Sequence, residues 1–414
     1  MTDNFVSAIE VGTSRTVMAA GRAAPGGGVE LLAFAEQETT GMRKGRVVEP
    51  EYVSRAIQTV RESVEAQIPG GGGTIRDAAF VCSFGGISCD PLSAQVPVTG
   101  PDGLVDADDV ARARSALLSA ATVAPGREAL GDAMALYFTL DGRGDEILEP
   151  RDMAAETLGV CGMSISVDAR EWDALAAAAD AAGIQNNFEI FSALAAAHAA
   201  LSPQKKLDGA LCIDMGGGTT SYCAYHRGHP IAAGALPVGG DHVTNDLLSA
   251  FKPGSTANAG RLKTECGRAD PEAVAPDSRV RIPDDGSGAA RTVSERAVAQ
   301  VVHARLDETL RLVRADLDAN GVLPWLGGGI VLTGGAAKTP GTAALAARVF
   351  GIPCSLATLD TGYPAIDRDP LRNATIWGGL ARAIDFERRQ AEVAADGGIR
   401  RFFKNLFSRE GQMA

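Results

Sequence analysis

The segment Leu211-Cys212-Ile213-Asp214-Met215-Gly216-Gly217-Gly218-Thr219-Thr220 constrains this chain more than any other stretch. An apolar run ends in one carboxylate, three glycines and two hydroxyls, the composition of a strand that turns tightly around phosphate. Glycines let backbone N–H groups approach an anion closely and permit positive φ. Thr219 and Thr220 add hydroxyl donors, and Asp214 suits a hydrated Mg²⁺ rather than the phosphate itself. A glycine-rich hairpin with no ligand has the same local composition, so the motif gains weight only from companions.

Two companions are present. Ala8-Ile9-Glu10-Val11-Gly12-Thr13-Ser14-Arg15-Thr16-Val17 repeats the order of parts: an apolar strand with an acidic residue, a Gly-Thr-Ser turn, then a second apolar segment. Gly329-Ile330-Val331-Leu332-Thr333-Gly334-Gly335-Ala336-Ala337 reads as a buried strand opening into a Gly-Gly turn. After it, Thr339-Pro340 has the pattern of an N-cap followed by proline at the first helical position. Two phosphate-type loops, at 12–14 and 216–219, with a later Gly-Gly loop, resemble the actin/Hsp70/sugar-kinase ATPase superfamily. The resemblance implies an α/β, actin-like two-domain ATPase fold. Two loops would clamp the phosphates across a cleft, and the third would receive the adenosine.

Bulk properties fit that expectation. A chain of 414 residues can form two large domains, each with its own core. A formal net charge of −12 argues against general nucleic-acid binding. The cysteines at 82, 89, 161, 212, 223, 266 and 354 include no Cys-x-x-Cys pair and mostly sit in apolar runs, which reads as reduced core residues of a cytoplasmic protein. The N-terminus enters a strand without a basic and apolar signal segment. No apolar run approaches the ~20 residues that a bilayer span needs.

Along the chain, residues 5 to about 82 read as strand, turn, strand, helix and strand, with Val53, Ile57, Val60 and Val64 at helical spacing. From Ser83 to Cys161 the character changes. Strand-like pieces at Gln95–Val98 and Met134–Leu140 flank a helix from Asp106 to Ala121, as in a small inserted α+β subdomain. Alanine-rich helices are expected at Glu171–Ala182 and Phe191–Ala200. A second insertion spans about Ile231–Ala290, with long surface loops near 252–289. A helix over Ser294–Ala319 follows, introduced by Thr292-Val293-Ser294-Glu295, a capping-box pattern. Near the end, Asn373–Ile384 is a helix with Gly378 and Gly379 inside it. Interior glycine costs about 1 kcal/mol against alanine, so close packing on another helix, with Ala193–Ala199 as a fitting partner, is the compensation.

The tail sets this chain apart from other actin-like proteins. Residues from about 389 read as a short polar linker. After them, Ile399, Phe402, Phe403, Leu406 and Phe407 form one helical face, while Arg400, Arg401, Lys404, Asn405 and Ser408 take the other. A basic amphipathic helix of this kind suits an anionic membrane surface.

An actin-like ATPase with such a tail resembles the FtsA family of bacterial cell-division proteins. The resemblance covers Glu10–Arg15, the insert 83–162, Asp214–Thr220, Gly239–Leu248, Thr333–Pro340 and the tail. It implies subdomain 1A (1–82, 164–203, 365–388), 1C (83–163), 2A (204–230, 300–364) and 2B (231–299), then a linker (389–397) and a membrane-targeting helix (398–414). It further implies ATP with Mg²⁺ in the cleft, and head-to-tail filaments on the cytoplasmic face of the inner membrane at the division site. The C-terminal peptide of the tubulin-like protein FtsZ would be captured by 2B, with other division proteins as further partners. Carried over by position, Gly12, Thr13 and Ser14, with Arg15 beside them, would hold phosphate, and Gly216, Gly217, Gly218 and Thr219 would form the facing loop. Asp214, with Glu10, would face Mg²⁺ through water. Gly239 would start the helix of 2B, Lys263 would lie beside ribose or adenine, and Gly334, Gly335 and Ala336 would back the adenine. Ile399, Arg400, Arg401, Phe402, Phe403, Lys404, Leu406 and Phe407 would bind membrane. One departure stands out: where the family has Ala-Glu-x-x-Lys, this chain has Ala259-Gly260-Arg261-Leu262-Lys263, without the carboxylate. No catalytic base is visible, so slow hydrolysis at most is expected. The competing readings are an actin-fold small-molecule kinase, which would need a catalytic acid and a substrate pocket, and a pilus-assembly-type peptide-binding scaffold, which the tail argues against.

Overall fold

The computed structural model describes residues 5–25, 28–68, 73–131, 134–282, 291–358 and 369–395. Strands β1 (Val6–Val11), β2 (Arg15–Ala23) and β3 (Val29–Glu38) form an antiparallel meander. A small hairpin, β4 (Met42–Arg43) and β5 (Arg46–Val47), precedes helix α1 (Pro50–Glu65). Val53, Ile57, Val60 and Val64 of α1 are buried, as one face at 3.6-residue spacing requires. Strand β6 (Asp77–Cys82) then returns parallel to β1.

The chain next leaves this sheet to build the insert. Its strands are β7 (Ser88–Pro97), β8 (Arg127–Ala129), β9 (Met134–Leu140) and β10 (Thr157–Asp168), with helix α2 (Ala107–Ala120) after β7. Asp106 and Asp109 cap α2 reciprocally: each carboxylate accepts from the other's backbone N–H. Val105, Leu117, Phe138, Leu158 and Val160 give the insert a core of its own. The inserted α+β unit expected from the change of composition is present.

Helix α3 (Ala169–Ala181) leads to β11 (Gln185–Phe191), which completes a five-stranded sheet in the order β11-β6-β1-β2-β3. Helix α4 (Ser192–Ala200) and the short α5 (Pro203–Asp208) carry the chain to a second sheet. There β12 (Ala210–Met215), β13 (Thr220–His226) and β14 (His229–Leu236) form another antiparallel meander. Helices α6 (Gly240–Phe251) and α7 (Thr256–Cys266), the hairpin of β15 (Arg279–Ile282) with β16 (Arg291–Ser294), and helix α8 (Glu295–Ala319) follow. Strand β17 (Gly329–Thr333), helix α9 (Thr342–Phe350) and β18 (Cys354–Leu356) finish the sheet in the order β14-β13-β12-β17-β18. Both sheets therefore share one plan: an antiparallel meander with two further strands added in parallel to its first strand.

Helix α10 (Pro370–Ala395) lies on the first sheet and crosses α4. A Cβ on Gly378 would overlap the Ala195 carbonyl, and one on Gly379 would overlap Val81. Gly378 thus does what the sequence suggested, letting helix backbone approach helix backbone, while Gly379 makes room for Val81 of the sheet.

Several local expectations are corrected. The region 252–289 is not chiefly loop: α7 and β15 occupy much of its described part, because Ala259 and Leu262 are buried against the second core. The chain leaves the second sheet at Leu236 rather than Ile231. Thr292 does not cap α8; Ser294 is the N-cap, and its hydroxyl accepts from Ala297 N. Thr339-Pro340 does not open α9, which begins at Thr342 behind Gly341. Helix α10 continues to Ala395, through most of the stretch read as a polar linker. Cys82, Cys212, Cys223 and Cys266 are buried, while Cys89, Cys161 and Cys354 are half-buried, and all seven are free thiols. The membrane-helix residues Ile399–Phe407 lie outside the described residues.

Candidate functional site

A cleft of about 700 Å³ opens where the turns β1–β2 and β12–β13 meet. Both turns close in the same way: Gly12 N donates to Arg15 O at 2.9 Å, and Gly216 N donates to Thr219 O at 2.9 Å. The two loops interlock. A Cβ on Gly217 would overlap the Ser14 hydroxyl, and one on Gly218 would overlap Thr13. The glycines required by the sequence pattern are thus required by the opposing loop as well.

Of the residues singled out from sequence, Glu10, Gly12, Thr13, Ser14, Arg15, Asp214, Gly216, Gly217, Lys263, Gly334, Gly335 and Ala336 line the cleft. Gly218, Thr219 and Gly239 stand behind its wall rather than on it. The Thr219 hydroxyl pairs with Ser83 Oγ at 2.8 Å. Gly239 donates to Nδ1 of His242 at 3.1 Å, while the next two N–H groups of α6 donate to Gly216 O and Gly217 O, each at 2.9 Å. The N-terminus of α6 therefore braces the second loop. Arg15 also differs from expectation: its guanidinium donates to Glu36 at 2.9 Å, to Asn373 Oδ1 at 2.8 Å and to the Arg372 carbonyl, so its donors are engaged at the start of α10.

The two acidic residues occupy matching positions, two before each turn glycine, in unlike surroundings. Asp214 is 9% exposed. Burial, reinforced by the charge of Glu10 and opposed by Arg15, pushes its carboxyl up to about 7. Glu10 is half-buried and accepts a hydrogen bond from Thr375 Oγ1 at 2.6 Å. Lys263 donates to the Gly240 carbonyl at 3.0 Å. Burial lowers its ammonium below the usual lysine range, with Asp241 acting in the opposite sense. The cleft thus holds a desolvated carboxyl, Asp214, a half-buried one, Glu10, and a desolvated ammonium, Lys263.

Sequence reasoning missed Ser83, Asp241, Thr264, Lys338, Arg372 and Thr375, which also line the cleft. Asp241 had a signal, since it follows Gly239-Gly240 directly. Ser83 stands just past the end of β6, the strand beside β1. Thr375 had none, because only tertiary packing brings α10 to β1. Gly260, where the family carboxylate was expected, lies on α7 with open space around its Cα. A second hollow of about 300 Å³, between Glu146, Arg227 and Trp325, is remote from both loops.

Comparison with known proteins agrees with this geometry. The family model described as "Cell division protein FtsA" matches residues 211–381. The cell division protein FtsA of Bacillus subtilis (strain 168) is 28% identical over 344 residues, 83% of this chain and 76% of the relative. Among solved structures, a PilM-PilN type IV pilus biogenesis complex superposes with a TM-score of 0.60 at 16% identity, covering 92% of this chain and 98% of that one. MreB5 of Spiroplasma citri bound to ADP superposes with a TM-score of 0.54 at 14% identity, covering 94% and 99%. At such identities the structural likenesses speak for fold alone. Paired sheets, interlocked glycine loops, family model and relative along most of the chain converge: this chain is similar to the FtsA cell-division proteins and has the actin-like fold.

Proposed function

We propose that the cleft binds ATP with Mg²⁺ and that nucleotide binding promotes head-to-tail assembly of this protein on the cytoplasmic face of the inner membrane, where it tethers FtsZ filaments. The observation that carries the reading is the pair of interlocked loops, one presenting hydroxyls and the other backbone, around a cleft that also holds Asp214 and Glu10. Gly12–Ser14 and Gly216–Gly217 would cradle phosphate. Lys263, Ala336 and Lys338 would border the nucleoside, and Arg15 would have to leave Glu36 and Asn373 to reach an anion. Among the described residues no group of three or more His, Cys, Asp or Glu side chains could hold a metal ion. That suits Mg²⁺, which keeps several waters and relies on one or two carboxylates together with phosphate oxygens. When bound, Mg²⁺ would neutralise phosphate charge and relieve the repulsion between Asp214 and Glu10. In this reading the nucleotide acts chiefly as a ligand joining the two halves, with slow hydrolysis at most.

Among the described residues, no helix is long and apolar enough to cross a membrane. The amphipathic segment 399–407 supplies the membrane contact in this reading, and the region after Leu236, with α6, α7 and the β15–β16 hairpin, the surface for the FtsZ C-terminal peptide. A single tail binds weakly because interfacial burial is partial, and assembly multiplies tails on one surface. The test is co-pelleting of the full chain with anionic liposomes and FtsZ, with and without Mg²⁺·ATP. ATP is expected to raise retention, Phe402→Glu to abolish it, and loss of the FtsZ C-terminal peptide to release FtsZ alone. Retention of the Phe402→Glu protein at the wild-type level would overturn the tether.

A further inference from the structure

The β4–β5 hairpin ties together hydroxyls from both halves of the cleft. Gly45, at its tip, is buried with φ +77° and donates its N–H to Thr13 Oγ1 at 2.9 Å. A Cβ there would lie 2.5 Å from the Ser83 carbonyl and 2.9 Å from Thr219 Cγ2. Ser83 and Thr219 share a hydrogen bond of 2.8 Å, one from the end of β6 and the other from the β12–β13 loop. Three hydroxyl-bearing residues from three segments therefore meet at one glycine, through the Thr13 hydroxyl, the Ser83 carbonyl and the Thr219 methyl.

The direction of these bonds matters. Because Thr13 Oγ1 accepts from Gly45 N–H, its own proton is left to point elsewhere, and Thr13 lines the cleft. The Ser83–Thr219 pair has two protons and uses one between the partners. With Thr219 donating, the Ser83 proton is left for the cleft, which Ser83 lines and Thr219 does not.

We propose that Ser83 is a further anion-binding residue and Gly45 a positioning residue: Gly45 fixes Thr13, and the Thr219 contact fixes Ser83, as two oriented O–H donors toward the phosphates of a nucleotide. The proposal rests on the reading of the cleft as a nucleotide site. It also assigns the hairpin a role, as the clip that holds both phosphate loops in one arrangement. Oriented donors cost no reorganisation when the anion arrives, which is where their advantage over freely rotating hydroxyls lies.

The experiment is calorimetric titration of the full chain with Mg²⁺·ATP and, separately, with adenosine. Ser83→Ala removes one oxygen and is expected to weaken ATP about 10-fold, the size of one hydrogen bond to a charged group, with adenosine unchanged. Gly45→Ala, strained at positive φ, is expected to weaken ATP at least as much. In a Thr13→Val, Ser83→Ala background the Gly45→Ala change is expected to cost about 2-fold or less, because Gly45 acts through those two hydroxyls, by its hydrogen bond to Thr13 and by its packing against Ser83 and Thr219. Unchanged ATP affinity in Ser83→Ala, equal losses for adenosine and ATP, or a Gly45→Ala loss undiminished in that background would each overturn the proposal while leaving the nucleotide site intact. Failure of the wild-type chain to bind ATP would instead remove the nucleotide site, and this proposal with it.

Discussion

The turns β1–β2 and β12–β13 have the same strand partners, the same closing hydrogen bond and an acidic residue two places before the glycine. They are not interchangeable. The first carries side chains at its tip, Thr13 and Ser14, while the second carries glycines opposite them. Two loops that both bore side chains could not interlock, and two bare loops would offer an anion no hydroxyls. The acids diverge in the same way: Asp214 is buried and pushed up to about 7, whereas Glu10 is half-buried and satisfied by Thr375. A repeated topology has thus been divided into a donor side and a backbone side.

The largest effect is expected from breaking that complementarity. Gly217→Val would drive a branched side chain into Ser14, and ATP affinity is expected to fall at least ~100-fold, reflecting overpacking as well as lost phosphate contacts. Gly12→Ala meets only the Arg15 carbonyl at 3.0 Å and is expected to cost about 10-fold or less. Calorimetry compares the two, and equal losses would mean that the loops are equivalent after all.

Exchanging the acids sharpens the contrast next. Asp214→Asn is expected to lose the Mg²⁺-dependent part of ATP affinity, roughly 10–100-fold, while raising the melting temperature of the ligand-free protein at pH 8 by removing a desolvated charge. Glu10→Gln is expected to cost about 3-fold in affinity and to raise the melting temperature less than Asp214→Asn does, since it removes only the charge that opposes Asp214 while its oxygen still accepts from Thr375. Scanning calorimetry with and without Mg²⁺·ATP separates these outcomes.

Two helix-interior glycines give a third comparison, read in stability rather than binding. Gly378→Val, against the Ala195 carbonyl, is expected to destabilise by about 2–3 kcal/mol. Gly260→Ala, in mid-α7 with open space around it, is expected to stabilise by about 0.5–1 kcal/mol. Urea melts measure both, and a destabilising Gly260→Ala would show that this face of α7 is more closely packed than its geometry indicates.

The smallest effect concerns His198 on α4. Burial, then the charges of Lys206 and Arg382, lower its imidazolium to about 4, from an ordinary value of 6.5. The unfolded chain therefore takes up this proton before the folded one does. Its contribution to stability is complete above pH 6.5 and declines as pH falls toward 4. Between pH 7.5 and 5, wild type is expected to lose roughly 1–2 kcal/mol more than His198→Gln. Parallel pH profiles of the two proteins would contradict this.

Elements whose signal is local were legible before the structure. Helix α1 follows from Val53, Ile57, Val60 and Val64, and the insert from its change of character. Where two local signals competed, position was misjudged. Thr339-Pro340 looks like a helix start, yet Gly341 places the start at Thr342, and Thr339 and Pro340 line the cleft instead. Proline and glycine near 252–289 suggested loops, but burial of Ala259 and Leu262 in the second core outweighs that composition. Most of the candidate site was legible, because backbone approach to an anion demands glycine whatever surrounds it.

Legible without the fold were the strands that lead into the two glycine turns, those turns, the acid before each, and the small-residue faces on α4 and α10. These depend on steric rules and periodicities that act within a few residues. Only the tertiary structure decided that Gly217 and Gly218 face Ser14 and Thr13, that Thr375 satisfies Glu10, that Arg15 is held at the start of α10, and that Gly45 and Ser83 meet the loops. Each of those contacts joins segments far apart in the chain. Their partners are chosen by how two sheets of one design are set against each other, and no short-range pattern encodes that placement.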